Sequence, residues 1–217
     1  SKKDLYDQLL KVLDCNNDIC VSNYKNIFDE TNFNLILKPK LKSGMYGPIS
    51  NYDINKIMIQ FQNKYKNFIY LGTAPLNFKS LFSKEYYGIN YKKYKKQKKT
   101  MGMIINTQPL PMSGEHWISL FIDCRKDPCE IMFFDSLGEN PPKEVIDYMK
   151  FIDKELGGVK ITYNKRKHQR SGNDCGIYGI YFIQKKIEND INNNLFKSVV
   201  RENKMSKIRD DYYVTHM

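Results

Sequence analysis

Two apolar runs, HWISLFIDC (His116–Cys124) and CEIMFFDSL (Cys129–Leu137), stand four residues apart. Both are dense in β-branched and aromatic residues, which suit a pleated, packed surface, and the intervening RKDP has the composition of a tight turn. The pair reads as an antiparallel hairpin, and a hairpin restricts which side chains can meet across it. His116 and Asp135 lie 19 residues apart with the turn about midway, so the pairing is expected to set them opposite each other. Asp123 and Asp127 lie nearer the turn and fit such a meeting less well.

The other segments are read around this hairpin. MGMIINT and VKITYN are further strands, and NFIYLG (Asn67–Gly72) is a short one. ISNYDINKIMIQFQNKY reads as a helix, with Asn51 or Asp53 supplying the N-cap oxygen and Ile54, Ile57, Met58 and Phe61 on its apolar side. ENPPKEVIDYMKFIDKELGG opens on Pro141–Pro142, repeats apolar residues at Val145, Ile146, Met149 and Ile152, and stops at Gly157–Gly158. GIYGIYFIQKKI continues as a helix after Cys175. Near the start, Leu5, Leu9, Leu10 and Leu13 have helical spacing, so residues 1–42 read as an N-terminal helical appendage ending near KPKLKSG, with the main domain over 43–217. Strands followed by helix, strand and helix make an α+β domain.

Composition narrows the class. An apolar fraction of 41% with 13% aromatic residues belongs to a folded chain, not a disordered one. No apolar run approaches the roughly 18–20 residues needed to span a bilayer, so no membrane role is expected. Charges recur through SKKDLYDQLLKVLD and leave no secretory h-region. A leading Ser1 is read as the product of trimming or of initiator-Met removal.

Thirty-five basic against 24 acidic residues give a net charge of +11, which attracts polyanions through a screened, non-specific term. YKKYKKQKK (Tyr91–Lys99) concentrates that charge. The stretch, with Tyr91 and Tyr94 interleaved among the basic run Lys92–Lys99, reads either as a nucleic-acid or acidic-partner patch or as a solvated lysine-rich loop. Five cysteines (Cys15, Cys20, Cys124, Cys129 and Cys175) without a signal peptide point to free thiols in a reducing, intracellular compartment. Two C-x4-C pairs could make a zinc site, but knuckles favour x2 spacing, and the second pair reads as facing ends of the hairpin. No metal and no cofactor is expected.

The chemistry is expected at HQRSGNDCGIYGIYF (His168–Phe182). A thiol is a nucleophile only as thiolate, and a helix N-terminus or a histidine partner favours that form. Gly172 and Gly176 bracket Cys175, and the helical pattern begins just after it. Backbone amides there can also stabilise an oxyanion. Only three histidines can serve as base. His216 is terminal, and His168, in KRKHQR, reads as a solvated residue of a charge run. His116 opens a strand, where a scaffold can hold an imidazole while exposing it. Asp135 would fix its tautomer and stabilise imidazolium. Gln169, six residues before Cys175, can add a side-chain amide to the oxyanion hole.

GEHWISLFID, FFDSL and HQRSGNDCGIY resemble the cysteine proteases of the adenovirus-protease and ubiquitin-like-protein-deconjugase clan, over about Ser50–Ile187. The resemblance implies a papain-like cysteine protease core in the adenovirus-protease arrangement, a central mixed sheet flanked by helices. It carries His116, Asp135 and Cys175 to the triad and Gln169 to the oxyanion-hole amide. Trp117 is carried to the wall of a narrow channel for small substrate residues, and Asn173 is placed with it on the substrate side. Within the clan, GENPPKEVIDYM, KHQRSGNDCG and the ISNYDINKIMIQF helix look most like the polyprotein-processing proteases of African swine fever virus and related large DNA viruses. That likeness implies protein substrates cut after Gly-Gly type sites during virion maturation, in host cytoplasmic assembly sites and the virion.

Two departures bear on this. Deconjugases clamp the Gly-Gly tail with a second tryptophan in a Trp-Leu-Asn-Asp motif, where this chain has SNYD (Ser50–Asp53) and Trp117 is its single tryptophan. The third triad member also varies among the viral relatives. The alternatives are an isopeptidase specific for SUMO or another ubiquitin-like modifier, and a basic nucleic-acid-binding scaffold with a dead protease site. Dependence on a folded modifier separates the first, and an unreactive Cys175 the second.

Overall fold

The computed structural model describes residues 47–112, 114–170, 172–190 and 194–213, and Lys11. The appendage expected over 1–42 lies outside them except for Lys11, as do Cys15, Cys20 and His216.

Helix α1 (Asn51–Lys64) precedes the first strand and is capped by Ser50, whose hydroxyl accepts the Asp53 N–H at 3.2 Å. The cap expected at Asn51 or Asp53 therefore falls one residue or more upstream, because the serine oxygen already satisfies the first-turn amide. Five strands follow: β1 (Phe68–Ala74), β2 (Thr100–Asn106), β3 (Trp117–Asp123), β4 (Cys129–Asp135) and β5 (Val159–Tyr163). They form one sheet in chain order. The two pairings around β3 are antiparallel, and β1–β2 and β4–β5 are parallel. Parallel neighbours require crossovers. Short helices α2 (Phe78–Leu81), α3 (Ser83–Tyr87) and α4 (Tyr91–Lys96) make the first, and α5 (Lys143–Leu156) makes the second.

Every residue of β2 and β4 is buried, so the sheet is covered on both faces. Alternate strand residues feed two cores, as the period of two dictates. Ile104, Phe121, Met132 and Phe134 pack against α1, α6 (Cys175–Ile187) and α7 (Glu202–Tyr212). Met103, Leu120, Ile131 and Phe133 pack on the other side against α5 and the first crossover. Each fully buried large apolar side chain contributes about 1.5–3 kcal/mol. The architecture is the mixed α+β sheet with flanking helices that the resemblance implies.

The lysine-rich stretch is a short helix with one face inside. Tyr91 is fully buried with its hydroxyl 2.6 Å from that of Tyr148, and Lys95 Nζ donates to the Leu156 carbonyl at 2.7 Å. Helix α5 ends where the sequence punctuation places it, at Gly157 with φ 74°, a left-handed value that glycine adopts without strain. At the hairpin's far end Asp123 is taken by Arg125, Nε to Oδ1 at 2.8 Å. Cys124 and Cys129 face each other there as free thiols, sulfurs 2.6 Å apart. Burial, then the neighbouring Cys129, pushes the Cys124 thiol up, which keeps it protonated and unreactive. No described helix is long and apolar enough to cross a membrane.

Candidate active site

Cys175 is the first residue of the 13-residue α6, with a free helical N-terminus at its back. Helix packing fixes it: Gly176 through Ile183 are all buried, so the helix cannot rotate its sulfur away. Cys175 is itself 6% exposed and lines a cleft of about 500 Å³.

His116 immediately precedes β3, and its carbonyl accepts the Thr107 N–H at 2.9 Å, which extends the β2–β3 ladder to hold it. Its Nε2 lies 2.7 Å from Asp135 Oδ1. Strand register puts Ile118, not His116, opposite Asp135. The expected direct opposition is thus corrected to a diagonal one: His116 and Ile118 share a face, and the imidazole reaches back across the pair. Burial acts to lower the His116 pKa. Hydrogen bonds to Asp135 and to Cys175, with the negative charge on each, overcome it and raise the value to about 9. The ring thus has two partners, the Asp135 carboxylate on Nε2 and Cys175, a set of contacts that can support an imidazolium–thiolate pair.

Residues that sequence reasoning missed support this pair. Asp135 is 3% exposed, and its carboxylate accepts the Leu137 N–H at 2.8 Å. Asn164, buried beyond β5, grips the Asp135 backbone twice at 2.8 Å, accepting its N–H and donating to its carbonyl. Ser136 carries the loop that leads to Cys175: its carbonyl accepts the N–H groups of His168 and Gln169 at 2.8 and 3.0 Å. The Ser136 hydroxyl donates to Gln169 Oε1 at 2.9 Å. Gln169 Nε2 in turn donates to the Gly172 carbonyl at 2.8 Å, leaving its second N–H for another acceptor. The only signal for either residue was a polar side chain directly after a strand. Asn173 is exposed in the turn before Cys175.

His168 is not the solvated residue its charged neighbours suggested. It is 2% exposed, its Nδ1 accepts the Val200 N–H at 3.1 Å, and its ring packs against Phe134 and Tyr178. Charges on adjacent residues say nothing about a ring that the backbone turns inward. Burial holds its pKa down at about 4. The unfolded imidazole takes up a proton near 6.5, the folded one only near 4, so stability is full above pH 6.5 and falls as pH drops toward 4. The loss is expected to approach about 3 kcal/mol. Urea midpoints at pH 7.5 and 4.5 check this: His168→Gln is expected to flatten the pH dependence, and an equal dependence in both proteins would refute it.

Trp117 opens β3 and walls the cleft, its indole N–H donating to the Ile49 carbonyl at 3.2 Å. Ile49, joined to it by that hydrogen bond, and Ser50 line the cleft too, as do Leu110 and Met112. Glycine is required at 176, because a Cβ there would run into Ile49 and meet Trp117 Cδ1 at 3.2 Å. Gly176→Ala is expected to fold normally yet lower kcat/KM roughly 10- to 100-fold by spreading these walls. Peptide hydrolysis beside a thermal melt checks it, and an unchanged kcat/KM would show that the wall yields.

A family model described as the Ulp1 protease family, C-terminal catalytic domain, matches residues 55–216. R355 of Acanthamoeba polyphaga mimivirus, described as a thiol protease, is 26% identical over 171 residues, covering 76% of this chain and 56% of that protein. Cysteine protease S273R of African swine fever virus is 26% identical over 183 residues, covering 75% of this chain and 66% of that protein. The chain thus spans under two thirds of the length of either relative. The crystal structure of the African swine fever virus pS273R protease shares its fold, with a TM-score of 0.73 at 22% identity over 99% of this chain and 90% of that one. With the family match running from α1 past α7, the chain belongs to the Ulp1 protease family of cysteine proteases.

Proposed function

We propose that this chain is a viral cysteine endopeptidase that cuts precursor proteins after Gly-Gly type sequences during virion maturation. The observation that carries the reading is the convergence of His116, on its Asp135 carboxylate at 2.7 Å, with Cys175 at the N-terminus of α6.

The chemistry follows from those positions. The Cys175 thiolate attacks the scissile carbonyl carbon, forming a C–S bond, and the carbonyl electron pair moves to oxygen. The Cys175 backbone N–H and the second Nε2–H of Gln169 hold that oxyanion. As the C–N bond breaks, His116 imidazolium gives its proton to the leaving amine. The neutral imidazole then takes a proton from water, whose hydroxyl attacks the thioester, and breaking the C–S bond restores the thiolate. Asp135 stays ionised and keeps the ring oriented.

A Gly-Gly preference is supported by the crowding beside the nucleophile, where Trp117 and Ile49 are joined by a hydrogen bond and leave no room for a Cβ at Gly176. Asn173 is assigned to the substrate side from its place beside the nucleophile. The Lys92–Lys99 patch is proposed as a non-specific nucleic-acid contact. It adjoins Thr100, paired with Asp123, at the end of the strands away from Asn106 and Trp117, so a bound polyanion would leave the cleft open. A log–log salt dependence of DNA affinity with slope near zero would overturn that contact. Host cytoplasmic assembly sites and the virion are the proposed locations.

Mass spectrometry of products after incubation with viral precursor proteins, with Cys175→Ala as control, tests the activity. Cleavage after Gly-Gly in the active protein alone is the expected result. Cleavage only when a folded ubiquitin-like modifier precedes the Gly-Gly would instead identify a deconjugating isopeptidase. No cleavage of either, with an unreactive Cys175, would identify a scaffold.

A further inference from the structure

Arg209 is a buried arginine, 3% exposed, on α7, the last described helix and a part of the chain with no place in the chemistry above. Its Nη1 lies 3.1 Å from Asp174 Oδ1, the residue directly before the nucleophile. Its Nη2 donates to the Gly47 carbonyl at 2.5 Å. Tyr213 is hydrogen-bonded to the same guanidinium.

Gly47 begins the strip Gly47–Ser50 that forms one wall of the cleft, with Pro48, Ile49 and Ser50 lining it. That strip is tied to the fold at three points: Gly47 by Arg209, Ile49 by the Trp117 indole, and Ser50 by the α1 cap. Arg209 alone of these ties also grips the nucleophile's own turn. A rigid, planar fork suits such a bridge, and a lysine ammonium, whose three donors sit on one nitrogen, cannot span both partners in the same way. The half-buried Asp174 carboxylate sits one residue from the sulfur, where an unpaired negative charge would oppose thiolate formation. Arg209 is its nearest cation and counters that charge.

We infer that Arg209 is a positioning residue that locks the substrate wall at Gly47 to the Asp174–Cys175 turn and so sets both the cleft width and the reactivity of the thiol. The inference rests on the proposed peptidase reading for its KM readout, and on Cys175 alone for its second readout.

Three variants separate the two ties. Arg209→Met removes both, Arg209→Lys keeps the charge beside Asp174 but gives up Gly47, and Asp174→Asn removes the ion pair while leaving Gly47 held. KM and kcat are measured on a Gly-Gly peptide, and the iodoacetamide alkylation rate of Cys175 is read by mass spectrometry at neutral pH. Arg209→Met is expected to raise KM about tenfold and slow alkylation about tenfold. Arg209→Lys is expected to restore alkylation to within about threefold of wild type while KM stays raised, and Asp174→Asn to alter alkylation with KM little changed. These sizes lie below the roughly 100-fold cost of a full 1 Å misplacement, as suits a shift smaller than that. KM and alkylation within twofold of wild type in folded Arg209→Met would overturn the inference. So would losses in Arg209→Lys that simply track its melting temperature. Wild-type protein that alkylates at Cys175 but cleaves no peptide would sink the peptidase reading, and the alkylation series would still decide the role of Arg209.

Discussion

Cys175→Ala is expected to abolish hydrolysis of a Gly-Gly peptide, lowering kcat by roughly 10,000-fold or more, with melting temperature and cleft binding retained. The size follows from covalent chemistry. Without sulfur no acyl-enzyme can form, and only oxyanion stabilisation and substrate orientation remain. Alanine fits the site without strain, because Cys175 is already near fully buried and alanine is smaller. Initial rates, the thermal melt and peptide affinity measured on one preparation distinguish lost chemistry from lost structure. Activity within tenfold of wild type would remove Cys175 from the mechanism.

His116→Ala is the second large effect, with kcat/KM expected to fall by about the same factor, because residues acting as one unit are strongly non-additive. The wild-type pH profile carries the finer test. Burial alone would lower the His116 pKa, yet Asp135 and Cys175 raise it to about 9. The imidazolium that protonates the leaving amine then persists until the pH passes about 9. The alkaline limb of kcat/KM is expected there, and it belongs to the coupled His116–Cys175 pair rather than to the ring alone. The same sign governs stability: the charged ring's contribution is full below pH 6.5 and is lost as pH rises through about 9. Asp135→Ala removes the largest raising contact, so its limb should move toward neutrality with part of the activity left. A wild-type limb below pH 7, or one unmoved in Asp135→Ala, would contradict the pairing.

The sheet was legible because β3 and β4 are dense in β-branched and aromatic residues, a bias that both-face burial favours. Helix α5 was legible because Pro141–Pro142 and Gly157–Gly158 punctuate it. The triad candidates followed from a hairpin that brings His116 near Asp135, although not from its register: the two-residue diagonal depends on where the ladder begins, which composition does not encode. Helix α7 escaped notice because Met205, Ile208 and Tyr212 are nearly its whole apolar content, and its remaining buried member, Arg209, is a charge. His168 was misread for a related reason. Its orientation is set by the Ser136 carbonyl and the Val200 amide, both remote in sequence. Asn164 and Ser136 act through several hydrogen bonds to residues remote in sequence, which leave no periodic trace.

The central claim is that Cys175, activated by His116, is the nucleophile facing the cleft. It is tested most directly by incubating the protein at neutral pH with a peptide whose terminal Gly-Gly carries a vinyl sulfone, then mapping the adduct by intact mass and peptide sequencing. One adduct per chain is predicted, on Cys175 and not on Cys124 or Cys129, forming at least about 100-fold more slowly in His116→Ala. Equal rates with and without His116, or an adduct on another cysteine, would contradict the account.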